Sequence, residues 1–167
     1  YNITVAQILL TKYILDTPRK NNVVNTFEQL FARGVIPVVN ENDTVAIDEL
    51  ELEFGENDTL AAHVAQFSNS DMLIILSDID GFYDANPKID PNAKLIPMVT
   101  EINDDIRKLA GDAVSGLGTG GMITKINAAE MAMNAGIDMA ILNGRNPDIL
   151  YDLFDGKQVG TIFTANK

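Results

Sequence analysis

DMLIILSD, residues Asp71 to Asp78, is the stretch whose reading decides the fold. An unbroken apolar run of this length between acidic residues reads as a strand buried on both faces, the mark of a parallel sheet. VIPVVN (Val35 to Asn40) and DMAILN (Asp138 to Asn143) repeat the pattern, and TIF (Thr161 to Phe163) reads as a last, short strand. Helical spacing fills the intervals. Val23, Val24, Phe27, Leu30 and Phe31 share a face and stop at Gly34, a C′ glycine. Leu60, Val64 and Phe67 mark a further helix, and another is expected over Asp104 to Leu109, after a long loop with Pro87 and Pro91. In ITKINAAEMAMNAG, residues Ile126, Ala129 and Met133 lie on one face and Gly136 is the stop. Asn146-Pro147 reads as N-cap and N1 of a short helix. Near the start, Val5, Ile8, Leu9 and Tyr13 fit one face of a first helix. The alternation predicts an α/β fold with a mainly parallel sheet and helices on both faces, an α/β/α sandwich.

A chain of 167 residues with 46% apolar residues suits one compact globular domain. No apolar run approaches the roughly 20 residues that span a bilayer, and the opening lacks the basic start of a signal peptide; no membrane partner is expected. With no cysteine, disulfides and thiolate metal sites are excluded and a cytoplasmic location is expected. The net charge of −12 repels phosphate backbones, so nucleic acid is not an expected partner. Any bound phosphate or carboxylate must then be held locally, by backbone N–H groups and a few placed lysines.

Four polar clusters follow strands or open helices, where open α/β sheets bind ligands. NENDT (Asn40 to Thr44) follows the strand VIPVV, and by itself reads as a turn. GENDTL (Gly55 to Leu60) opens a helix, where Asn57 or Asp58 also fits an N-cap. LSDIDGFY (Leu76 to Tyr83) sets two acids at the polar end of the deciding strand. It admits an Asx turn or a metal or nucleotide contact, with the Tyr83 ring as a flat face for a base. GLGTGGMITK (Gly116 to Lys125) brings four glycines and a lysine to a helix start. Converging N–H groups, helix dipole and lysine charge favour phosphate there, though the spacing is not that of a Walker loop. The acidic alternation DELELE (Asp48 to Glu53) reads as a solvated edge strand or hairpin, and the lone His63 as a packed or surface residue.

In this order, NENDTVA, GENDTL, LSDIDGFY and GLGTGGMITK resemble the glutamate 5-kinases of the amino acid kinase family. Each piece is weak and the ordered set is specific. Glu56 stands where that family usually has aspartate, Ser77 where it has threonine, and the stretch from Asp43 to Gly55 is slightly longer. The resemblance implies that Asp43 and Asn57 bind the substrate L-glutamate. It implies that Ser77, Asp78, Thr119, Gly120, Gly121, Met122, Ile123, Thr124 and Lys125 form the ATP-binding set. Asp58 and Lys125 are the implied catalytic residues, with ATP and Mg²⁺ as cofactors, no protein metal cluster, and a homo-oligomer as the expected assembly. Family members open with a strand and a GK-SG loop absent here, so residues 1–167 are expected to be the C-terminal portion of one amino acid kinase domain. Relatives of the same fold acting on aspartate, acetylglutamate or nucleoside monophosphates share the glycine–lysine loop but lack the paired ENDT clusters. A non-catalytic nucleotide-binding module is the remaining alternative.

Overall fold

The computed structural model describes residues 1–11, 17–44, 57–112 and 121–165. The chain divides into two compact units, Tyr1–Ser70 and Asp71–Lys167. DELELE and Tyr13 lie outside the described residues.

In the first unit, β1 (Val5–Leu10) and β2 (Ile36–Glu41) form a two-stranded parallel sheet, joined through α1 (Thr17–Ala32) and followed by α2 (Asn57–Phe67). The helix expected over the opening residues is therefore a strand. Val5, Ile8 and Leu9 satisfy a helical spacing, but the same segment also satisfies a period of two. Ala6 and Ile8 are half-buried and Leu10 is buried, while Val5, Gln7 and Leu9 face out. Pairing decides between the two periods, since β1 and β2 run in register from Val5 opposite Ile36 to Leu10 opposite Glu41. α1 ends as expected. Gly34 has φ +68°, its N–H bonds to the Phe31 carbonyl at 2.9 Å, and the Val35 N–H reaches the Leu30 carbonyl at 3.0 Å. The core joins Leu10, Phe27, Leu60 and Phe67, with Ile8, Val23, Val24, Val39 and Val64 against them. Burying Phe27 alone is worth about 1.5–3 kcal/mol. On the other face, among the described residues, Val5, Leu9, Ile36 and Val38 are between 43% and 58% exposed beside the polar Gln7 and Asn40.

The second unit contains β3 (Met72–Ser77), β4 (Met98–Val99), α3 (Asp104–Asp112), α4 (Gly121–Asn134), β5 (Asp138–Asn143), α5 (Ile149–Phe154) and β6 (Thr161–Phe163). Its sheet has the order β3-β5-β6-β4. β3 and β5 are parallel and in register from Met72 opposite Asp138 to Ser77 opposite Asn143. β4 and β6 are also parallel, and β5 and β6 run antiparallel. Parallel pairing thus prevails in both sheets. Met139 to Leu142 are wholly buried, and Ile126, Ala128, Ala129 and Ala132 of α4 are likewise at zero exposure. Small side chains on that face let α4 lie close to β5.

Two boundaries differ from expectation. β4 falls in the stretch read as a long loop, because two residues carry no detectable period. α5 begins at Ile149 with Asp148 as its cap, rather than at Pro147. The Asn146 carboxamide accepts the Asp148 N–H at 3.1 Å, so it closes the turn before the helix. Asn103 does cap its helix, accepting the N–H groups of Asp105 and Ile106 at 3.1 Å.

One buried polar residue organises the loop between β3 and β4. Thr161 Oγ1 accepts the Phe82 N–H at 2.8 Å and donates to the Ile96 carbonyl at 2.7 Å. Phe82, which is 1% exposed, then packs on Phe163 with ring centroids 6.5 Å apart.

Candidate functional site

In the first unit the carboxyl ends of β1 and β2 lie side by side, because their register pairs Leu10 with Glu41. The chain leaves β2 through a turn in which the Asn42 N–H bonds to the Leu10 carbonyl at 2.7 Å. Thr44 Oγ1 donates to the Asn42 carboxamide at 2.7 Å. The turn reading of NENDT is therefore right about the backbone, and it leaves Asp43 exposed at the strand end. Asn57 is the first residue of α2 and exposed; Asp58, half-buried, sits in the first turn, where a helix favours negative charge. His63, on the same helix, stacks on Phe67 at 6.0 Å, and its pKa is lowered by burial and, second, by Lys20.

In the second unit the carboxyl ends of β3 and β5 are adjacent. Ser77 Oγ donates to Asp78 Oδ1 at 3.3 Å, and the Gly144 N–H crosses to the Ser77 carbonyl at 2.8 Å. A Cβ on Gly144 would stand 2.9 Å from that of Leu76, so the two exits approach as closely as backbones with one bare residue allow.

Asn143, which the sequence pattern did not single out, joins these exits through Asp80 and Tyr83, the second acid and the ring of LSDIDGFY. Asn143, the last residue of β5, donates from Nδ2 to Asp80 Oδ1 at 2.6 Å and accepts the Arg145 N–H at 3.0 Å. Asp80 Oδ2 accepts the Tyr83 hydroxyl at 3.2 Å. Burial raises the Tyr83 pKa, and the Asp80 charge and hydrogen bond add to it. Asp80, Asn143, Arg145, Asn146, Ile149 and Asp152 line an open pocket of about 340 Å³. The strand-end rule that pointed to the cluster LSDIDGFY applied equally to Asn143, and was the signal available for it.

α4 opens at Gly121, the last glycine of the glycine-rich loop. Met122, Ile123, Thr124 and Lys125 form its half-buried first turns; Thr119 and Gly120 lie outside the described residues. Lys125 Nζ donates to the Gly121 carbonyl at 3.1 Å, folding its charge back over the start of the helix, and Thr124 Oγ1 reaches the same oxygen at 3.3 Å. Helical side chains lean toward the N-terminus, so a lysine at this position is suited to that placement. Positive charge and helix dipole thus coincide at one helix start.

Parallel strands ending in polar loops, with a glycine-led helix carrying a lysine over its first turn, define an α/β protein of the kind that binds ligands at its strand ends. The family profile described as "Amino acid kinase family" matches residues 1–143, and the chain belongs to that family. It is 51% identical over 170 aligned residues to the glutamate 5-kinase of Clostridium perfringens (strain 13 / Type A), covering 100% of this chain and 63% of that protein. The glutamate 5-kinase of Listeria innocua is 49% identical, with 100% and 62% covered. The chain therefore spans less than two thirds of the length of these curated relatives. Among solved structures, UMP kinase from Bacillus anthracis superposes with a TM-score of 0.64 at 15% identity, over 100% of this chain and 60% of that one, which shows the shared fold.

Proposed function

We propose that the protein carrying this chain transfers the γ-phosphoryl group of ATP to the side-chain carboxylate of L-glutamate, giving γ-glutamyl phosphate on the way to proline. The observation that carries this reading is the identity of 51% to a glutamate 5-kinase along the whole chain. In the same reading, residues 1–167 are the C-terminal portion of one amino acid kinase domain, in a cytoplasmic homo-oligomer without nucleic-acid or membrane partners. No helix among the described residues is long and apolar enough to cross a membrane.

The acceptor carboxylate, with a pKa of about 4.3, is ionised at neutral pH and needs no general base. What it needs is neutralisation of the charge between two anions and alignment of the reacting oxygens. Lys125, together with the N–H groups at Gly120 and Gly121, holds the phosphates, and Ser77 and Asp78 contact the nucleotide from the end of β3. Thr119, Met122, Ile123 and Thr124 complete that cradle. Asp43 and Asn57 bind glutamate, and Asp58 orients cationic groups at the transfer site without taking a proton.

Mg²⁺ would supply charge neutralisation across the phosphates. Such an ion takes one or two carboxylates beside phosphate oxygens. Asp78, exposed at the end of β3, fits that part; among the described residues no cluster of three or more acids or histidines would hold a metal alone.

The test is turnover of labelled ATP in the full-length protein against glutamate, aspartate, acetylglutamate and nucleoside monophosphates. Glutamate alone should be phosphorylated, and Lys125→Ala should lower kcat by about a hundredfold or more. Preference for another acceptor would overturn the substrate assignment, and near-normal turnover of the variant would remove Lys125 from the transition state.

A further inference from the structure

The pocket at the β5 exit is bordered by Asp80, Asn143 and Arg145, and a chain of hydrogen bonds joins these to Tyr83. The Arg145 N–H bonds to the Asn143 side chain, whose amide bonds to Asp80, whose second oxygen takes the Tyr83 hydroxyl. Both ends of the Asn143 carboxamide and both oxygens of Asp80 are occupied. Asp80 lies two residues beyond Asp78, and Asn143 is the register partner of Ser77. The link therefore fixes the loop leaving β3 to the end of β5, just beyond Asp78 and across the sheet from Ser77.

We infer that Asp80 is a positioning residue: its carboxylate, bonded at once to Asn143 and Tyr83, sets the place of Ser77 and Asp78 for nucleotide binding without itself touching the nucleotide. This rests on the reading of the site as an ATP site. The role is geometric, so it has a signature that charge would not give. Asparagine at position 80 can still accept the Asn143 amide with its oxygen, and its own amide can meet the Tyr83 oxygen. Alanine keeps neither bond.

The experiment compares Asp80→Ala, Asp80→Asn and Tyr83→Phe in the full-length protein. Their KM values for ATP and glutamate are measured beside ATP-analogue binding by calorimetry. Asp80→Ala should raise the KM for ATP about tenfold and weaken analogue binding to match, with the KM for glutamate nearly unchanged. Asp80→Asn should stay within about threefold of wild type, and Tyr83→Phe, which loses one of the two bonds, should fall between. Titration of the Tyr83 phenol by ultraviolet absorbance should show its pKa falling in Asp80→Ala, which reports the link itself. Unchanged ATP parameters in Asp80→Ala overturn the inference while the ATP site stands. Equal losses in Asp80→Ala and Asp80→Asn overturn it in favour of a charge role. A wild-type protein that binds no nucleotide sinks the site reading and this inference together, whatever Tyr83 does.

Discussion

At the scale of single residues, Thr161 shows how one hydroxyl can hold a long connection. It is wholly buried and serves two backbone groups, Phe82 N–H and Ile96 C=O, that no strand supplies with partners. Thr161→Val preserves the shape and strands both groups, so it should cost about 2–4 kcal/mol in urea unfolding. His63 makes a prediction with pH. Burial and Lys20 lower its pKa from 6.5, so the unfolded chain binds the proton more readily than the folded one. Its neutral form thus contributes stability above pH 6.5 that is lost as pH falls through the folded pKa. Thermal unfolding followed downward from pH 7 should show that decline, and His63→Gln should flatten it. The site was partly legible at this scale. Ser77, Asp78 and Lys125 stand at a strand end and a helix start that hydrophobic patterning locates. The bond between Asp80 and Asn143 joins residues 63 positions apart, and only the pairing of β3 with β5 brings them together.

At the scale of elements, legibility followed how many patterns a segment satisfies. β3 and β5 carry uninterrupted apolar runs and were readable, as were α1 and α4 with their glycine stops, α2 from its apolar spacing, and the short β6. β1 satisfies two periods at once, and only a partner strand distant in sequence selects the extended one. β4 is too short for any period. The turn into β6 supplies a sharper test. Gly160 has φ +58°, and a Cβ there would lie 2.1 Å from the Ile141 carbonyl oxygen. Gly160→Ala combines a left-handed backbone with a clash against the neighbouring strand, and should lower stability by at least about 3 kcal/mol in chemical denaturation. A change under 1 kcal/mol would mean that the β5–β6 pairing opens more readily than its register implies.

At the scale of the whole chain, two properties oppose each other. The net charge of −12 disperses the molecules, and the outward face of the β1–β2 sheet offers Val5, Leu9, Ile36 and Val38 to any apolar surface. Parallel sheets are ordinarily covered on both faces, and among the described residues these four side chains stay about half exposed. Salt shortens the reach of the repulsion to about 10 Å at 0.1 M and leaves apolar attraction intact. Light scattering from the chain prepared as these 167 residues should therefore rise with ionic strength, and Val38→Lys should suppress the rise. Scattering that stays flat in salt for both proteins would show that the face is harmless. The practical outcome concerns the bench more than the reaction: if scattering rises as expected, the preparation is to be stored dilute and at low ionic strength, where its charge keeps the molecules apart.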